Sequence, residues 1–157
     1  MFESLFDLTR KVKTLNEVRF AVEIFQDNDI QRFILRANRI DQLVHGLDSN
    51  NEIIGVYSPT TDISSEGLTF NFEGVRVEKI AGEPYNFIDS GQFFNSFEVL
   101  VSSDGSFEIE ADDSSGKDTP LTKKYGKDIL GLTDDNKNEL VEKIIQLFIE
   151  KIREHLL

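Results

Sequence analysis

Phe97-Glu98-Val99-Leu100-Val101-Ser102-Ser103-Asp104-Gly105-Ser106-Phe107-Glu108-Ile109-Glu110-Ala111 admits two hairpin registers, and the choice between them decides the fold. A two-residue turn at Asp104-Gly105 sets Val99 and Val101 opposite Glu110 and Glu108. A three-residue loop, Ser103-Asp104-Gly105, instead pairs Val101 with Phe107, Val99 with Ile109 and Phe97 with Ala111. Successive strand side chains face opposite ways, so a slip by one residue exposes a whole apolar set. The second register is therefore predicted. It also puts Gly105 where a three-residue loop wants a left-handed residue. One face of the hairpin is then apolar, and Glu98, Glu108 and Glu110 share the other.

On the C-terminal side, Asp112 to Pro120 is polar and reads as a loop. Thr133 is a good N-cap for a last helix, and Asp134 and Asp135 sit where the helix dipole favours negative charge. Leu140, Val141, Ile144, Ile145, Phe148, Ile149, Ile152 and Leu156 form a wide apolar stripe to its end. On the N-terminal side, Leu68, Phe70 and Phe72 alternate with polar residues, as do Val75 and Val77 after Glu73-Gly74, which predicts two short strands. Residues 46–67 are polar and turn-rich.

Leu5, Leu8, Val12, Leu15, Val18, Val22 and Phe25 step by three and four, predicting a first amphipathic helix that stops near Asp27-Asn28-Asp29. Asp29 is a candidate cap for a second helix, with Ile30, Phe33, Ile34, Ala37 and Val44 on its apolar face and Gly46 at its end. Arg32, Arg36 and Arg39 share another face. These elements make an α+β fold: two N-terminal helices, a small, mostly antiparallel sheet carrying the 97–111 hairpin, and a long C-terminal helix packed on that sheet. A chain of 157 residues suits one domain over 1–157, with a helical part at 1–45 and an acidic α+β part at 46–157.

The net charge of −12 argues against a general nucleic-acid binder, whose phosphate affinity comes from Lys and Arg. Residues 1–45 hold seven acids and seven bases, so the whole excess lies in 46–157. There is no cysteine, which excludes disulfides and thiolate metal sites. No apolar run approaches the ~20 residues of a membrane span, and Met1-Phe2-Glu3-Ser4-Leu5 lacks the basic start of a signal peptide. A soluble product that stays in the cell until lysis is expected, with no membrane partner.

Residue constellations for chemistry are missing. His45 and His155 stand near predicted helix ends, neither with the i, i+4 partner of a helical zinc site. The ten glycines form no dinucleotide or phosphate loop, and no nucleophile elbow occurs. Asp112-Asp113-Ser114-Ser115-Gly116 resembles half of a calcium loop, but alignment on Gly116 puts Ala111 and Thr122 at its anchors, and a solvated turn fits better. No enzymatic activity, cofactor, metal or small-molecule substrate is expected. The Arg32, Arg36, Arg39 stripe admits three uses: a solvated face, a contact with an acidic surface such as another copy's 98–118 region, or nucleic acid. Without an aromatic platform, the last is the weakest.

Two further phrases are the least random in the chain: Asp89-Ser90-Gly91-Gln92-Phe93-Phe94-Asn95-Ser96, opening the hairpin, and Ile129-Leu130-Gly131-Leu132-Thr133, leading to the last helix. In order and spacing they resemble the tail-completion and virion-morphogenesis proteins of tailed bacteriophages, of the Mu-like and lambdoid kind. Ala37 to Leu43 and Gly55 to Thr60 resemble the front half of related proteins from phages of gut bacteria. The likeness covers roughly residues 35–157. Ser90 replaces a usual Thr, and Gly126-Lys127-Asp128 replaces a common Pro-Ala-Arg.

Physically, Asp89 is a candidate cap for a short turn, with Phe93, Phe94 and Phe97 packing beneath the sheet, and Gly131 allows a tight reversal before Thr133. Both phrases therefore read as fold markers whose surroundings carry the function. The resemblance implies a structural protein forming a ring at the head–tail junction, neck or upper tail. Its expected partners are copies of itself and portal, connector or tail proteins, with DNA at most passing through a lumen. It implies residence in the virion and, during assembly, in the host cytoplasm. The alternative is an assembly factor absent from the particle. Arg32, Arg36 and Arg39 against Glu98, Glu108 and Glu110 are the candidate subunit interface.

Overall fold

The computed structural model describes residues 10–12, 14, 16–60, 69–72, 74–88, 91–114 and 119–156. Residues 10–12 are helical, but the first helix does not run on through the apolar spacing. Asn16 adopts an extended conformation, and its side chain accepts a 2.9 Å bond from Arg19 N. That cap opens a separate helix α1, Glu17–Phe25. A short amide that can satisfy a backbone N–H competes with helix continuation, while the three-four spacing passes through the break unchanged. The next cap is Asp27, two residues earlier than the predicted Asp29. Its Oδ1 accepts from Asp29 N and Ile30 N, opening α2, Asn28–Arg36.

Beyond Arg36 the ladder widens into a π segment, Ala37–Gln42, then tightens into a 3₁₀ turn, Leu43–His45. Gly46 ends it at φ 70°, the left-handed cap that its position predicts. Ile30, Ile34, Ala37 and Val44 are buried as the apolar face requires, and Phe33 is half-buried.

Two antiparallel hairpins follow, each a sheet of its own and not one shared sheet. β1 (Thr69–Phe72) pairs with β2 (Val75–Glu78) around Gly74. β3 (Glu98–Val101) pairs with β4 (Phe107–Glu110). Val99 faces Ile109 and Val101 faces Phe107, the register of the three-residue loop. Gly105 closes it at φ 84°, and Asp104 Oδ1 accepts from the backbone and hydroxyl of Ser106 at 2.9 and 2.7 Å. Those bonds, the hydroxyl's first, hold the Asp104 carboxyl below its ordinary pKa.

Between the hairpins lies a one-turn helix α3, Gln92–Asn95; after them come α4, Leu121–Tyr125, a 3₁₀ turn, Lys127–Leu130, and the long α5, Asp134–Leu156. Thr133 Oγ1 accepts from Asn136 N at 3.4 Å, the predicted cap.

The long helix packs principally on α1 and α2, which corrects the expected packing on the sheet. Phe148 meets Phe20 edge-on at 6.0 Å, Lys151 reaches Glu23 at 3.1 Å, and Lys143 lies over the Phe33 ring. The β3–β4 hairpin also leans on these helices: Phe107 stacks near Phe25 at 4.7 Å, and Gly105 abuts Ala21. The core thus centres on the N-terminal helices, and its apolar cluster draws on both halves of the chain. Only part of the predicted α5 stripe faces it. Leu140 is buried and Ile144, Phe148, Ile152 and Leu156 are half-buried, but Val141, Ile145 and Ile149 are exposed.

Candidate functional site

Both sequence phrases hang on the π segment. Asn38 and Gln42 lie within it, at 0% and 1% exposure. Asn38 Nδ2 donates to Ile129 O at 3.1 Å and to Gly131 O at 2.7 Å. Gln42 Nε2 donates to the same Gly131 O at 2.9 Å, while its Oε1 accepts from Thr133 N (3.0 Å) and Asn136 Nδ2 (2.7 Å). Two buried amides therefore hold the Leu-Gly-Leu-Thr turn and the start of α5. Buried amides persist where such bonds satisfy them. Asn38 Oδ1 is the exception, a buried side-chain oxygen with no partner among the described residues.

Arg39, next to Asn38, holds the other phrase. Its Nη1 donates to Phe94 O at 3.0 Å and its Nε to Leu35 O at 3.3 Å. Phe94 is fully buried beside Phe93 and Phe97, as the sequence predicts. Ser96 Oγ donates to Phe93 O at 2.7 Å and accepts from Asp112 N at 2.9 Å, fastening this turn to the far end of the hairpin. Gly91 starts α3 at φ 81°, a conformation natural to glycine. Asp89 and Ser90, with the predicted cap at Asp89, lie outside the described residues.

Gly131 departs from expectation in its reason. Its backbone is extended (φ −139°), so no left-handed reversal is required. What it lacks is room: a Cβ there would lie 2.7 Å from Ser49 Cβ. Ser49 N in turn donates to Asp128 O at 2.9 Å, packing the 46–60 segment onto the turn.

The candidate interface residues divide accordingly. Arg32 and Arg36 are exposed on α2, Arg32 pairing loosely with Asp29 at 3.4 Å. Arg39 is half-buried and tied to Phe94 O, so the predicted three-residue stripe ends at Arg36. The π geometry breaks the 3.6-residue repeat that the stripe assumed. Glu98, Glu108 and Glu110 are exposed around Leu100 on the outer hairpin face, Glu98 directly opposite Glu110. Among the described residues they have no cation partner.

His45 is exposed at the end of its 3₁₀ turn, and His155 Nε2 lies 3.2 Å from Lys11 O and edge-on to Phe20. Among the described residues no group of three or more His, Asp or Glu side chains is placed to hold a metal ion. In the 112–120 loop, the Asp113 carboxylate accepts from Thr122 N at 3.0 Å and from the Thr122 hydroxyl, so it caps α4. No described helix is long and apolar enough to cross a membrane.

Compared with family models, with curated proteins and with solved structures, the chain has no match in any of the three.

Proposed function

We propose that this chain is a structural protein of a tailed-phage virion, a ring-forming component of the head–tail junction, neck or upper tail, and not an enzyme. The observation that carries this reading is the shared anchorage of the two phrases that resemble tail-completion proteins. Consecutive side chains, Asn38 and Arg39, hold the Leu130-Gly131-Leu132 turn and the Phe93-Phe94 turn. Residues with such a role mark a framework, and function then lies on the surfaces that the framework presents.

Two unlike surfaces are available for a ring, which needs heterologous contacts between copies. One is the exposed pair Arg32 and Arg36; the other is the acidic hairpin face of Glu98, Glu108 and Glu110. If that face lines a lumen, like charge keeps DNA from adhering as it passes. Portal, connector or tail proteins of the same particle are the remaining partners.

Mass spectrometry of purified virions and light scattering of the protein with its connector test this. The chain is expected in the particle, and in closed rings that R32E/R36E weakens while the melting temperature stays unchanged. Absence from the particle would assign it to assembly instead. A strictly monomeric profile with connector present would sink the ring.

A further inference from the structure

We propose that the free edge of β4 accepts an extended segment of another polypeptide, with aliphatic and basic residues alternating, as a third strand of the β3–β4 sheet. This goes beyond ring formation and stands whether or not the chain forms rings.

The hairpin's loop shows which way each β4 backbone group points. Ser102 N donates to Ser106 O at 2.9 Å and Gly105 N to Ser102 O at 3.1 Å, which makes 102 and 106 a hydrogen-bonded pair. Antiparallel pairs alternate, so 100:108 and 98:110 are the next bonded pairs. The N–H and C=O of Glu108 and Glu110 therefore turn towards β3. Those of Phe107, Ile109 and Ala111 turn the other way, and no hydrogen bond to them occurs among the described residues. They open onto a groove of about 600 Å³, with Phe107 to Ala111 along one wall and Leu130 to Leu132 along the other.

An unpaired edge is a template for strand addition, and proteins blunt it with charged side chains, Pro, a bulge or a very short strand. Phe107-Glu108-Ile109-Glu110 has no Pro and no bulge in its four paired residues, and its charges are both acidic, so they repel acidic strands and admit basic ones. An added strand alternates its side chains between two faces. One set continues the apolar face of Phe107 and Ile109, near Leu130 and Leu132. The other set lies beside Glu108 and Glu110, in a face where Glu98 and Glu110 already stand directly opposite as like charges. Opposite charge beside them relieves that repulsion. Lys127 also lines the groove, as does Lys137, which is engaged by Asp134 at 3.1 Å. These confine the incoming basic residues to the glutamate side. The occupant so defined is a short β-forming segment with Lys or Arg at every second position.

The test uses the whole protein and a fluorescent octapeptide of alternating valine and lysine, read by anisotropy, against a valine–glutamate octapeptide of equal length. The lysine peptide should bind at least about tenfold tighter. NMR should place its contacts at the amides of residues 107, 109 and 111. Ala111→Pro removes one outward N–H without changing net charge and keeps Glu110 in its extended conformation. It should abolish binding, whereas simple attraction to an acidic protein would survive it. Glu108→Lys with Glu110→Lys should invert the preference between the peptides. Equal binding of both peptides, binding that survives Ala111→Pro, or no binding at all would overturn the proposal. Self-association that Ala111→Pro dissolves, with neither peptide bound, would also overturn it, in favour of a second copy.

Discussion

Replacing Gln42 with methionine isolates what the buried amides contribute. Methionine matches the glutamine in length and adds no polar atom, so packing changes little. Three hydrogen bonds vanish: one to Gly131 O, one from Thr133 N and one from Asn136 Nδ2. Gly131 O keeps its 2.7 Å bond from Asn38. Asn136 Nδ2 retains a long 3.5 Å approach to Ala37 O. Thr133 N is left as a buried donor with nothing to meet it. An orphaned buried donor costs about 1–3 kcal/mol, and the weakened Asn136 adds to it, so about 2–3 kcal/mol is expected. For a chain of this length that is a fall in Tm of roughly 5–10 °C. Urea unfolding followed by circular dichroism should show a lower midpoint with unchanged slope. A variant as stable as the parent, or more stable, would refute the reasoning. It would mean that an apolar side chain fills this place as well as the amide, as happens at some buried polar sites.

Two other outcomes follow from geometry already described. Gly131→Ala should cost about 1–3 kcal/mol by crowding Ser49, since the extended backbone suits alanine. Adding Ser49→Gly should restore most of it in a double-mutant cycle, and failure to do so removes the Ser49 contact as the cause. The Glu23 carboxyl is held below its ordinary pKa first by the Arg19 hydrogen bond and then by Lys151. With the folded value below the unfolded one, this stabilisation is present above the unfolded value and fades as pH falls through the folded one. Glu23→Gln should therefore narrow the stability difference between about pH 6 and pH 3, by less than about 1 kcal/mol because the pair is partly exposed. Identical pH profiles in urea melts would show that the α1–α5 ion pair contributes nothing.

The hairpin was legible because two signals agreed. Alternation in 97–111 and a glycine at the left-handed position select one register, and the structure has it. Thr133 was legible as a cap for the same kind of reason, with Asp134 and Asp135 behind it. Asn16 was not, because the apolar spacing continues through it and only the side-chain bond to Arg19 N marks the break. The π segment left no trace either. Asn38 and Gln42 are polar at helical spacing, a pattern that normally means solvent, yet both are buried on carbonyls and amides some ninety residues away. Arg39 was misplaced with them, since a 3.6-residue repeat puts it beside Arg36. Nor could periodicity say how much of the α5 stripe finds cover; Val141, Ile145 and Ile149 do not find it among the described residues.

The two buried amides, Asn38 and Gln42, also have a consequence for the order in which the protein is made. Asn38 and Gln42 are translated first, and the groups they bond at residues 129–136 emerge from the ribosome some ninety residues later. Until then two amides destined for the interior have no native partners. Such long-range pairing slows folding. The nascent chain therefore offers no finished Leu130-Gly131-Leu132 turn to a neighbour until residues 129–136 have emerged, which delays premature docking.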